Sequence, residues 1–413
     1  MTASSTRHSR LRTLVAAPER FAAEFWGRGP LFSSAAELPG DARALFSAAA
    51  VDELVSTRGL RTPFLRMARE GATLADRAFT ASGGVGASIA DQLSDDKLLR
   101  QFADGATMVL QGLHRTWEPL ILFAQGLAAE LGHPVQVNGY VTPPQSRGFD
   151  DHYDVHDVFV LQVAGTKQWR VRPPVHPHPL RDQPWTDHRG AVAKAAETAP
   201  ELDVVLTPGD TLYLPRGWLH SATAMGSVST HLTMGVHTWT RFHLLEQLVA
   251  EAVAELGSDV DVRSSLPVGT DVSDPRELTD DLELVRARLL RAVQDVPGEA
   301  LARRLAEVAG AAQRPEPIRP LAQLAAADAL AEDTRLRLRE HLAARFTEHA
   351  DGTVVVHSRV GDLDLTHEDA TRAAGLLRGA PVAVTELGVA LARRLLLAGI
   401  AVTDSCAHPR AQQ

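Results

Sequence analysis

Between residues 106 and 240 apolar residues recur at alternate positions in short runs, and this constrains the fold more than any other feature of the chain. The runs "PVQVNGYVTPP", "DVFVLQVAGTKQWRVRPP", "LDVVLTPGDTLYLPRG" and "STHLTMGVHTW" are rich in β-branched and aromatic residues and are punctuated by Gly, Pro and Asp. Alternation sends successive side chains to opposite faces of a sheet, and several such runs in succession predict an all-β barrel or sandwich. Gly165, in "QVAGTKQW", reads as the tight connection of a hairpin. The Pro-rich "RPPVHPHPLRDQPW" reads as an excursion from the barrel.

Helical patterns flank this section. A chain of 413 residues exceeds what one core usually supports, so several domains are expected. Residues 1–105, with "PERFAAEFWGRGPLF", "DARALFSAAAVDELV" and "DQLSDDKLLRQFADG", read as a mainly helical N-terminal scaffold ahead of a barrel spanning 106–240. In 241–313, "RFHLLEQLVAEAVAELG" carries a wide apolar stripe of Leu244, Leu245, Leu248, Val249, Ala252, Val253 and Leu256. Such a stripe needs a partner surface, either a second copy of the chain or another part of the same one. "RPEPIRP" reads as a stiff linker. From there to residue 413, helices alternate with strand-like pieces such as "GTVVVHS", the pattern of a winged-helix-like module.

Net charge is −9, a poor match for nucleic acid, and the last hundred residues hold no lysine, so direct DNA binding is not expected. A cationic peptide or protein is the better electrostatic partner. No membrane span is visible, and "LVAA" near the start is too short for a signal-peptide core. The lone Cys406 cannot form an internal disulfide and reads as an incidental surface thiol, in keeping with a cytoplasmic protein. Lys97, Lys167 and Lys194 are the only lysines among 42 basic residues, which makes each one informative.

The chemistry is concentrated in "DHYDVHD", residues 151 to 157. On a strand, His152, Asp154 and His156 share one face, and Asp151, Tyr153, Val155 and Asp157 share the other. Neighbours two apart can hold one ion, which favours His152 with Asp154. His156 lies roughly 7 Å further along and reads as a substrate contact or a packing residue. Two histidines and one carboxylate leave open positions on a metal suited to oxygen chemistry, so a distant histidine is needed. His220, at the end of "PGDTLYLPRGWLH", supplies it, and His231 is the nearest substitute.

These motifs together resemble the JmjC-type 2-oxoglutarate oxygenases, and among them the ribosomal oxygenases. The resemblance rests on "HYD", "LTPGDTLYLPRGWLH", "FWGRGPLF", "VNGYVTPPQSRGFDDHYDVHDVFVLQVAGTKQWRV", "STHLTMGV" and "VRSSLP", which fall in that family's order. It implies an α+β chain whose double-stranded β-helix, a cupin/JmjC barrel, is joined to a helical dimerisation section and a C-terminal winged helix. It implies Fe(II) held by His152, Asp154 and His220, with 2-oxoglutarate and O2 as cosubstrates and Lys167, Asn138 and Tyr140 as cosubstrate contacts. Gly235 departs from the serine common there in eukaryotic relatives. The implied activity is hydroxylation of an arginine or histidine in a ribosomal protein by a homodimer. The same chemistry on a natural-product peptide or small molecule, and a non-catalytic metal-binding protein, are the alternatives.

Overall fold

The computed structural model describes residues 9–40, 42–146 and 149–404. Cys406 lies outside them. The chain divides into two compact units, residues 1–238 and 239–413.

Among the described residues of the first unit, eleven strands alternate with helices. They are β1 (Leu31–Ser33), β2 (Leu65–Arg69), β3 (Ala72–Thr73), β4 (Thr80–Ala81), β5 (Gln92–Leu93) and β6 (Thr107–Leu110). β7 (Val135–Thr142), β8 (Asp157–Arg172), β9 (Leu202–Leu206), β10 (Thr211–Leu214) and β11 (Leu219–Val236) follow. Nine of them form one antiparallel sheet in the order β1-β10-β8-β11-β7-β6-β2-β3, with β9 also paired to β8. β1, β2 and β3 come from the section read as a helical scaffold, so that section supplies sheet as well as helix.

β8 and β11 dominate the unit. Strand β8 pairs with β10 through Val158–Leu161 and with β9 through Lys167–Val171, while β11 runs along its other side. The expected hairpin at Gly165 is not there: Ala164, Gly165 and Thr166 lie within continuous β8. Gly165 instead marks a bend, where φ is +62° and a Cβ would fall on the Val228 carbonyl oxygen. Opposite it, β11 bulges between Met225 and Thr230. A bulge shifts the alternation, because one extra residue sends the following side chains to the other face.

A main apolar core packs the helix Glu118–Leu131, through Leu120, Phe123 and Leu127, with Val135 and Val137 of β7 and Leu232 and Met234 of β11. Gly132 ends that helix in the left-handed conformation, and β7 starts three residues later. A second cluster of Val158, Val160, Trp169, Leu206, Leu212 and Leu214 lies between β8, β9 and β10.

The second unit opens with helices Arg241–Leu256, Thr279–Asp295 and Gly298–Ala312. It continues with helices Pro320–Asp328, His367–Leu377 and Val389–Leu397, a three-stranded meander over residues 345–365, and a small sheet centred on Arg335–Leu338. Leu336, Leu376, Leu387 and Leu395 are fully buried in its core. No helix among the described residues is long and apolar enough to cross a membrane.

Candidate active site

His152 lies just before β8 and makes an isolated bridge with His220 near the start of β11. The His152 N–H donates to the His220 carbonyl at 3.2 Å and the His220 N–H to the His152 carbonyl at 2.8 Å. That exchange fixes both backbones and leaves the ring centroids 4.4 Å apart. Residues 153–156 are not strand, so the regular alternation expected through "DHYDVHD" stops after His152. Asp154 is held differently, its carbonyl accepting from the Gly217 N–H at 3.0 Å, which ties it to the Pro215-Arg216-Gly217 turn.

The three side chains converge. His220 Nε2 is 3.7 Å from Asp154 Oδ2, and one ligand atom from each of His152, Asp154 and His220 falls within 4.8 Å of the others. The second ring nitrogens are spoken for: His152 Nδ1 lies 2.7 Å from the Asp150 carbonyl and His220 Nδ1 lies 3.1 Å from the Trp218 carbonyl. A carbonyl only accepts, so each Nδ1 carries a proton, and in the neutral ring Nε2 is then the nitrogen with a lone pair to offer. Burial holds the His220 imidazolium off, bringing its pKa down to about 4. Burial works to raise the Asp154 carboxyl, but its Coulombic interactions with His156, His220, His152 and Arg66 outweigh that and keep the group below the usual range. Two neutral imidazoles and one carboxylate are the donor set that non-haem Fe(II) takes while keeping positions open.

The other members of the opening stretch do structural work. Asp151 pairs with Arg172 at 2.7 Å, and fully buried Asp157 accepts from the Tyr213 hydroxyl at 2.5 Å. His156 is outside the ligand set. Its Nε2 lies 3.0 Å from the Gln136 amide nitrogen, and its ring covers Gly235, where a Cβ would come within 2.7 Å. A side chain at 235 would displace that ring.

A cavity of about 250 Å³ opens beside the triad and is lined by all three of its residues, together with Lys167, Tyr140 and His231. Lys167 is 3% exposed and donates to Thr142 Oγ1 at 3.0 Å. Burial of its ammonium lowers the pKa to about 7. Tyr140 stacks on His231 with centroids 4.8 Å apart and planes 7° from parallel. Asn138 is not among the cavity's lining residues; its Oδ1 accepts from the Gly112 N–H at 3.1 Å and fastens the turn before the next helix.

Arg66 on β2, Thr107 on β6, Phe149 and Trp185 also line the cavity and were not singled out by sequence reasoning. The Arg66 guanidinium sits 5.2 Å from the Phe149 ring centroid and the Arg189 guanidinium 5.7 Å from that of Trp185. A period-two reading of "FLRMAR" could have flagged Arg66, since Leu65 and Met67 face the core and Arg66 the other way. Nothing comparable marks Trp185 within its Pro-rich loop.

The family model described as JmjC domain matches residues 122–244, which contain the whole triad and Lys167. Residues 122–244 are a JmjC domain. Among curated proteins, the bifunctional lysine-specific demethylase and histidyl-hydroxylase NO66 of Drosophila persimilis is 38% identical over 137 residues, covering 32% of this chain and 19% of that protein. Human ribosomal oxygenase 1 is 37% identical over 199 residues, 44% of this chain and 29% of the relative. The chain thus spans less than a third of the length of either relative. Among solved structures, Escherichia coli ribosomal oxygenase YcfD matches with a TM-score of 0.56 at 16% identity, over 95% of this chain and 99% of that one. A structure of the same bacterial protein with cobalt and 2-oxoglutarate matches at 0.52 and 15% identity, with the same coverage. The fold around the JmjC domain is therefore that of a ribosomal oxygenase structure.

Proposed function

We propose that this chain is an Fe(II)- and 2-oxoglutarate-dependent oxygenase that hydroxylates a protein side chain, an arginine or histidine of a ribosomal protein. The observation that carries the reading is the convergence of His152, Asp154 and His220 within 4.8 Å beside a cavity that also holds a buried lysine. Both proton positions and both pKa shifts in the triad favour ligation by Nε2 and carboxylate oxygen. A bound ferrous ion would activate dioxygen at the expense of 2-oxoglutarate, which leaves as succinate and CO2.

The protein's own part is binding and orientation. The three triad residues would hold the metal; Lys167 would offer an ammonium to the distal carboxylate of 2-oxoglutarate, and Tyr140 walls the same space. Asn138, on the same strand as Tyr140, steadies that wall through its bond to Gly112. Apolar Val158, Val160, Trp169 and Leu214 line the cavity and limit water there.

The substrate assignment draws on two further supports. Relatives sharing the JmjC segment carry the names histidyl-hydroxylase and ribosomal oxygenase. A net charge of −9 also favours a basic partner such as a ribosomal protein. The same reading takes the chain to be a cytoplasmic homodimer, joined through residues 241–313, where Leu244, Leu245, Val253 and Leu290 are exposed. It takes the section after residue 314 to be a winged-helix-like domain, consistent with the helices and the β-meander described there.

The test is direct. Full-length protein loaded with Fe(II), with ascorbate and 2-oxoglutarate, is offered ribosomal-protein peptides, and succinate and peptide mass are measured together. Succinate release with one oxygen gained by a peptide is expected, and His152→Ala should abolish both. Iron-loaded protein that releases no succinate, with or without peptide, would refute the reading.

A further inference from the structure

His231 is 3% exposed, yet among the described residues it has no hydrogen bond to protein, and its Nδ1 is enclosed without a partner. Buried polar groups of native proteins nearly always find partners, because an unmatched one forfeits its hydration. The ring is not placed by hydrogen bonds but by aromatic neighbours: Tyr140 lies parallel to it, and Trp169 meets it edge-on at 5.4 Å and 88°. Burial, and the nearby Lys167 ammonium, hold the imidazole neutral.

The neighbour has the same deficit. Lys167 has three N–H donors and one observed acceptor, Thr142 Oγ1, which is itself 3.3 Å from Thr107 Oγ1. At this end of the cavity, then, a cation with unused donors and a neutral imidazole with an unused N–H are enclosed together. Among the described residues lining the cavity the one carboxylate is Asp154, which belongs to the triad. A single ligand carboxylate would satisfy both groups, taking a charge-assisted bond from Lys167 and a neutral one from His231.

Resting on the oxygenase reading above, we propose that His231 is a second donor to the distal carboxylate of 2-oxoglutarate, acting beside Lys167 and selecting a dicarboxylic cosubstrate. His231 is therefore a cosubstrate-binding residue and not a substitute metal ligand, in agreement with its position outside the converging triad.

The experiment measures binding without turnover. Full-length protein loaded with manganese(II), under anaerobic conditions, is titrated calorimetrically with 2-oxoglutarate and with oxalate, which can reach the metal but has no distal carboxylate. For His231→Phe, 2-oxoglutarate should bind about tenfold more weakly, the worth of one hydrogen bond, while oxalate stays within about twofold. His231→Gln, whose amide still donates, should remain within about threefold of the parent for both ligands. Unchanged 2-oxoglutarate affinity in His231→Phe would overturn the assignment, as would equal weakening of both ligands, which marks the ring as wall packing. If His231→Phe does not fold, a His231→Gln protein that loses 2-oxoglutarate but keeps oxalate also refutes a donor role. Parent protein that binds oxalate but not 2-oxoglutarate would remove the oxygenase reading itself, a result distinct from either variant's behaviour.

Discussion

The two ends of the cavity are built on opposite principles. At the triad end every group is already committed: two backbone bonds join His152 to His220, two carbonyls fix their Nδ1 protons, and Gly217 holds the Asp154 backbone. At the Lys167 end, among the described residues, the ammonium has a single threonine partner and His231 has none. One end is organised before anything binds, whereas the other carries polar groups whose burial is offset only by a ligand. The difference is physical in origin. A metal site needs donors fixed to within fractions of an ångström, and backbone carbonyls provide that, while a carboxylate site needs free donors.

Breaking the triad end should have the largest effect. Asp154→Ala removes the only anionic donor, and metal affinity by equilibrium dialysis should drop about a hundredfold or more, with fold retained by circular dichroism. A smaller loss would mean that another group, His156 or His231, can enter the ligand set.

Next in size is Lys167→Ala. A charge-assisted bond is worth about 2 kcal/mol, so 2-oxoglutarate affinity should fall roughly thirtyfold while metal affinity is unchanged. Loss of both together would show that the two ends are not independent.

The pH response sharpens the same contrast. In the ligand-free folded chain Lys167 titrates near 7 instead of its ordinary 10.5, so between those values the unfolded state holds a proton that the folded state has shed. Stability from this group therefore rises with pH across that window, and the destabilisation is fully present below about 7. Binding of the 2-oxoglutarate dianion calls the proton back, so affinity should decline as pH climbs above about 7, by up to about tenfold per unit. Calorimetry in buffers of different ionisation enthalpy should register proton uptake on binding at pH 8. No uptake there would place the ammonium already charged in the empty cavity.

The smallest expected effect is that of Thr142→Val. The hydroxyl relieves one Lys167 donor, but the ligand supplies better acceptors, so 2-oxoglutarate affinity should change by less than about threefold. A tenfold loss would make Thr142 a ligand contact in its own right.

Much of this arrangement was legible in the chain. The period-two runs announced the sheet, and the H-x-D spacing with a histidine after "PRGWL" picked out three residues that do converge. Lys167 stood out because lysine is so scarce. The strand alternation, however, was trustworthy only locally. Val158 and Val160 line the cavity before the bend in β8, and Lys167 and Trp169 line it after, an even-to-odd change that simple alternation forbids. In β11 the register shifts between Met225 and His231, and the lining passes from His220, Ser221 and Ala222 to His231 and Thr233. Asn138 and Tyr140 share a strand face, yet only Tyr140 lines the cavity, while the Asn138 side-chain amide oxygen accepts from the Gly112 N–H. Arg66 comes from the N-terminal section through β2, a pairing that no local pattern encodes.

By itself the sequence determined which groups are available: imidazoles and a carboxylate at the right spacing, a rare lysine, and apolar alternation that must bury one face of a sheet. Those follow from side-chain chemistry and from the two-residue repeat of an extended chain. Only the tertiary structure decided which nitrogens keep their lone pairs, which lysine donors stay unused and that His231 has no partner. These depend on carbonyls and rings brought together from distant strands, and on a glycine bend that reverses the inward face of β8 midway.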